Sequence, residues 1–137
     1  MSIAEGNALK SASRLDQYRR VLEQKAEEVR AGLSARRAAE VVLRLEEPLD
    51  FGDWCQKNHD EWLFLNQNRL EIALLRNLEA ALDRLARGAY GTCPSCHEPI
   101  SPKRLEAVPW AEFCVRCEEQ AAAAAAGEVS AGHNLVE

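Results

Sequence analysis

Little in this 137-residue sequence could fill a large globular core. It has only three Phe, two Tyr and three Trp, and its 47% apolar content is inflated by alanine. Six of those alanines run consecutively at 121–126, where they bury little. No stretch approaches the roughly 18 apolar residues that would cross a bilayer. Met1–Lys10 lacks both a basic start and a continuous apolar run, so no secretory signal is read there. Basic excess is missing too: 17 Lys and Arg stand against 22 Asp and Glu, a net charge of −5. A chain this acidic gains little by neutralising phosphates, which argues against sequence-specific DNA binding and favours a basic protein surface as partner. No internal repeat is visible. The cysteines are few but informative. Four of the five form two C-x-x-C pairs and Cys55 stands alone. Without a secretory signal, such pairs read as metal ligands in a reducing cytoplasm rather than disulfides.

Charged residues make up 28% of the chain, mostly in Glu- and Arg-rich stretches with helical spacing. After a small, polar and flexible segment at 1–13, with Ser13 as N-cap, Leu15, Tyr18, Leu22, Ala26, Val29 and Leu33 follow three- and four-residue steps. The helix can continue to Glu47, because Pro48 disfavours helical geometry in the residue before it. Pro48–Asp53 is a turn cluster. A second helix is expected from about Trp54 to Arg87, with Ile72, Leu75, Leu78, Leu82, Leu85 and Ala89 close to a heptad seam and Gly88 loosening or ending it. Two long helices joined by a short turn make an antiparallel hairpin. The fold class is therefore mostly α: a helical hairpin, coiled-coil in character, over 14–89 with its tip at 48–55. A small zinc module follows at 90–117, then a C-terminal helix at 118–127 capped by Gly127, and a disordered tail at 128–137.

The spacing Cys93-x2-Cys96-x17-Cys114-x2-Cys117 places two thiolates on each of two tight turns, which completes a tetrahedron around one structural Zn²⁺. Four thiolates around one zinc ion add a charge of about −2. A catalytic zinc keeps a position open for water, whereas four thiolates close the shell. Thr92–Cys96 has the P-C-x-x-C half of a zinc deaminase, but no H-x-E lies upstream to supply the third ligand and the general acid–base. The chain is therefore not expected to be an enzyme. His97 reads as a knuckle or surface residue, not a ligand.

Tyr90-Gly91-Thr92-Cys93-Pro94-Ser95-Cys96, Pro99-Ile100, Arg104-Leu105-Glu106-Ala107-Val108-Pro109 and Cys114-Val115-Arg116-Cys117 closely resemble the zinc module of the DksA/TraR family. The resemblance implies a helical hairpin that enters the secondary channel of bacterial RNA polymerase and modulates transcription initiation without binding DNA. It also implies a functional tip motif D-x-x-D-x-A, matched here by Asp50 and Asp53, with Cys55 in place of Ala. One departure is His97, where the family usually has Gly; the left-handed backbone this position favours would strain a side chain. A second is that Val108 and Glu118 stand where ppGpp-responsive members carry basic residues, which implies little ppGpp dependence.

Local chemistry gives the tip a plainer reading. Asp53 with Gln56 resembles a capping box, and Asp50 could simply stabilise a turn. Phe51 and Trp54 are either turn anchors or partner contacts, and Trp62 and Phe64 are expected to pack near the tip. Arg36, Arg37 and Arg44 read as a solvated face. The expectation is a cytoplasmic monomer that binds RNA polymerase and no membrane. The alternatives are a zinc-stapled adaptor for another protein, a nucleic-acid-binding zinc finger and, more distantly, a zinc hydrolase.

Overall fold

Runs of Glu, Arg, Leu and Ala with no proline before position 48 favour uninterrupted helix, and the computed structural model has two long ones. It describes residues 3–131, with the side chains of 11–127. The helices are α1 (Ile3–Leu45), α2 (Phe51–Arg87), α3 (Pro102–Ala107) and α4 (Val115–Ala131). Among the described residues there are no strands, only an isolated bridge between Thr92 and Pro99. Among these residues no helix is long and apolar enough to cross a membrane. The chain divides into two units, Met1–Leu82 and Asp83–Glu137.

The first unit is the antiparallel hairpin. Its seam follows the three- and four-residue steps expected on α1, with Leu22, Ala26 and Val29 buried. On α2 the buried residues are Leu78, Ala81 and Leu85, while Leu75 and Leu82 are half-buried. Ile72, expected on the seam, is 42% exposed. Glu71 takes the inward place beside it, paired with Arg36 at 2.6 Å. Arg36 thus bridges the helices rather than belonging to a solvated face, whereas Arg44 pairs with Glu40 on its own helix. A second cross-hairpin pair, Arg30 with Glu79 at 3.1 Å, lies on the surface.

Several element boundaries differ from expectation. α1 starts at Ile3, ahead of Ser13, because Ala4, Glu5, Ala8, Leu9 and Ala12 are good helix formers and no proline interrupts the run, which carries through Gly6 and Asn7. The remainder of the expected flexible segment, Met1 and Ser2, lies outside the described residues. α4 starts at Val115, inside the expected zinc module, and passes through Gly127 to Ala131, so Gly127 is not its cap. Residues 132–137 of the expected tail lie outside the described residues.

The second unit begins within the last turns of α2. Gly88 ends that helix as expected: its φ of 73° is left-handed. Gly88 N–H donates to Leu85 O at 3.3 Å and Ala89 N–H to Arg84 O at 2.9 Å, the paired bonds of a Schellman cap. The short helix α3 was not expected, although Ser101-Pro102 carries its signal. The Ser101 hydroxyl accepts from Arg104 N–H, and Pro102 sits in the first turn, where a missing N–H costs nothing. Ile100, Leu105 and Ala111 form this unit's small apolar core together with the buried Cys93 and Cys117.

Candidate metal centre and hairpin tip

Each C-x-x-C pair sits on a backbone that aims both sulfurs inward. The first is the turn of a short loop. Ile100 N–H donates to Gly91 O at 2.8 Å and Cys93 N–H to Glu98 O at 3.0 Å, which closes the loop, and His97 N–H reaches back to Cys93 O at 2.8 Å. Two residues of this loop have positive φ: Gly91 at 82° and His97 at 61°. The left-handed backbone expected at His97 is therefore present, on a side-chain-bearing residue. The second pair opens α4. Glu118 N–H donates to Cys114 O at 3.0 Å, so Cys114 is the N-cap residue and Cys117 lies within the first turn.

The four Sγ atoms lie within 4.8 Å of one another, and Cys96 and Cys114 are 3.8 Å apart. A tetrahedron with Zn–S bonds of about 2.3 Å has edges of about 3.8 Å, whereas a disulfide needs about 2.05 Å. All four cysteines are free thiols. Donor type, number and spacing fit one structural zinc ion. The N-terminus of α4 adds a favourable dipole beside the thiolates. Backbone N–H groups, that of Cys114 first, hold the Cys93 thiol down at about 6, with burial opposing them. The adjoining Cys114 thiol pushes Cys117 up to about 12. Arg116 is held charged, first by Glu98, whose carboxylate is 3.6 Å away. His97 is exposed and does not join the cluster.

Arg104 is the main connector around the metal centre, a role the sequence did not disclose. Its Nε donates to Phe113 O at 3.0 Å, just before Cys114, and its guanidinium pairs with Glu118. Tyr90 Oη donates to Pro109 O at 2.6 Å, and Arg84 to Trp110 O at 3.2 Å. Val108 caps α3, its N–H donating to Arg104 O.

At the other site, Asp50 rather than Asp53 is the helix cap. Asp50 Oδ1 accepts from Asp53 N–H at 2.9 Å, and Trp54 N–H donates to Asp50 O at 3.0 Å. Asp53, in the first turn, accepts from Leu49 N–H at 3.3 Å. Gln56 donates to Asp60 at 2.8 Å instead of reaching back to Asp53. Lys57 donates to Glu46 O across the turn. Both aspartates remain exposed, as does Cys55. Phe51 and Trp54 stack on each other with centroids 5.9 Å apart, yet are 78% and 51% exposed. Phe64 is half-buried, but Trp62 is 61% exposed: it lies next to the inward position that Glu61 occupies, not on it.

Residues 88–121 match the prokaryotic DksA/TraR C4-type zinc finger. The chain is 40% identical over 75 residues to an uncharacterized protein of Aquifex aeolicus, covering 55% of this chain and 52% of that one. It is 33% identical over 69 residues to the RNA polymerase-binding transcription factor DksA of Haemophilus influenzae, covering 50% and 48%. The chain thus spans about half the length of the curated relatives it matches. Among solved structures, the transcription factor DksA2 from Pseudomonas aeruginosa superposes with a TM-score of 0.70 at 29% identity, covering 79% of this chain and 82% of that one.

Proposed function

The chain belongs to the DksA/TraR family of C4-type zinc finger proteins, and from that premise we propose that it is a non-enzymatic transcription regulator that binds RNA polymerase and inserts its hairpin into the secondary channel. The observation that carries this reading is the form of the tip. Two helices converge on a five-residue turn whose exposed carboxylates, Asp50 and Asp53, lie three residues apart at the start of α2. A narrow, acidic end suits a confined site that handles Mg²⁺ and phosphates. The zinc module is the folded anchor, and its thiolates leave no open coordination position for catalysis.

The action depends little on ppGpp. The two positions where responsive members carry cations hold Val108 and Glu118, neither of which can pair with a phosphate. Glu118 moreover engages Arg104, which lowers the availability of the nearest guanidinium. The test is transcription in vitro with Asp50→Asn and Asp53→Asn proteins, alongside competition for polymerase. Asn keeps an acceptor oxygen for the Asp53 and Leu49 N–H groups, so the cap survives while the charge is removed. Both variants should lose most of the transcriptional effect and still compete. Wild-type regulation by both would make the carboxylates purely structural, and failure of the wild-type protein to bind polymerase would refute the partner.

A further inference from the structure

The hairpin's burial is uneven along its length. Within the first unit the buried residues are Leu22, Ala26, Val29, Leu78 and Ala81. From residue 30 to residue 77, none is buried. The change coincides with a polar layer. Arg36 Nη2 and Glu71 Oε1 pair at 2.6 Å, with side chains 25% and 24% exposed. Arg36 Nη1, Glu71 Oε2 and the neighbouring Asn68 Oδ1 are shut off from solvent with no hydrogen-bond partner. Orphaned polar atoms of this kind weaken the layer that contains them. A groove of about 430 Å³, lined partly by Arg37, Asn68 and Ile72, lies alongside. Gly32 of α1 stands one turn before Arg36. A Cβ there would meet only Glu71 Oε2 at 3.7 Å, an ordinary contact, so space does not require glycine. Its effect is to loosen the helix.

We infer that the hairpin is built in two segments of unequal stability, with the layer of Arg36, Asn68 and Glu71 as their boundary. The tip-side segment, residues 37–67, opens locally while the pairing of Leu22, Ala26 and Val29 with Leu78 and Ala81 stays closed. Such a segment can adjust its width to a partner without unfolding its base. The inference concerns the hairpin itself and stands whether or not the partner is RNA polymerase.

Amide hydrogen exchange on the zinc-loaded, full-length protein tests it. Amides of 37–45 and 55–67 should exchange roughly a hundredfold faster than those of 22–29 and 78–82, the spread expected when parts of a fold open separately. Fraying of the tip alone would produce a gradient that ignores the polar layer, so two variants separate the cases. Arg36→Leu with Glu71→Leu replaces the layer by apolar packing and should slow tip-side exchange roughly tenfold, leaving the base unchanged. Glu71→Leu alone strands the guanidinium and should speed tip-side exchange. Uniform protection along the wild-type hairpin would overturn the inference. So would a double variant that shifts both segments together or leaves the tip side unchanged.

Discussion

His97 sits at φ 61° in the first zinc knuckle, a region that charges a side-chain-bearing residue about 1–2 kcal/mol, somewhat less for His than for bulkier types. His97→Gly should therefore stabilise the zinc-loaded module by about 1 kcal/mol, read as a higher melting temperature with unchanged metal content. The thiols carry a pH prediction. Cys93 has its folded pKa lowered to about 6, so its thiolate's contribution is fully present above the ordinary thiol pKa and is lost as pH falls through about 6. Cys117, pushed up to about 12, must give up its proton on metal binding. Zinc occupancy should thus fall as pH drops toward and below 6, and zinc titrations near neutral pH should release protons, seen as buffer-dependent heats. The four-cysteine cluster and the left-handed knuckle were legible in the sequence because C-x-x-C spacing and the place of a usual Gly are local signals. Asp50's role as cap was not. Asp50 and Asp53 are both good capping residues, and only the actual start of α2 at Phe51 chooses between them.

On the scale of single elements, the contrast between Leu78 and Ile72 is informative. Leu78 is fully buried and Ile72 is 42% exposed, because alternating three- and four-residue steps back from Leu85 through Leu82, Leu78 and Leu75 land on Glu71 and not on Ile72. Leu78→Asp should cost about 3 kcal/mol or more by losing packing and burying an unpaired charge. Ile72→Asp should stay within about 0.5 kcal/mol, as surface changes do; denaturant midpoints by circular dichroism would compare them. Counting apolar residues alone steps over Arg36, Asn68 and Glu71, because charged and amide side chains are not expected at a seam. That is why the base of the hairpin was legible and its middle was not. Helix ends were missed for a related reason. Alanine-rich flanks lack stop signals, so α1 extends to Ile3 and α4 runs through Gly127. Gly32→Ala should stabilise the hairpin by about 0.5–1 kcal/mol, since only ordinary contact awaits the added methyl.

For the molecule as a whole, the two units draw their stability from different sources. The hairpin rests on a seam of aliphatic side chains, whereas the second unit has a small apolar core and four cysteines. Small metal modules fold only when loaded. A strong chelator should therefore unfold residues 90–117 while much of the hairpin's helical signal survives, and purified protein should contain about one zinc per chain. Loss of all helicity on chelation, or a preparation that is fully folded without metal, would contradict this division.

The place of Cys114 and Cys117 at the entrance of α4 has a kinetic side. An isolated helix is held back by nucleation, because fixing the first turn earns a single hydrogen bond and is disfavoured by a factor of roughly a thousand. A metal ion held by both sulfurs fixes that turn in advance, as a template. The alanines at 121–126, which are exposed and anchored by nothing of their own, then have only to propagate from it, and alanine is the residue that propagates best. Part of the far-UV helical signal should consequently report on zinc, rising in step with metal added to stripped protein and levelling off at about one equivalent.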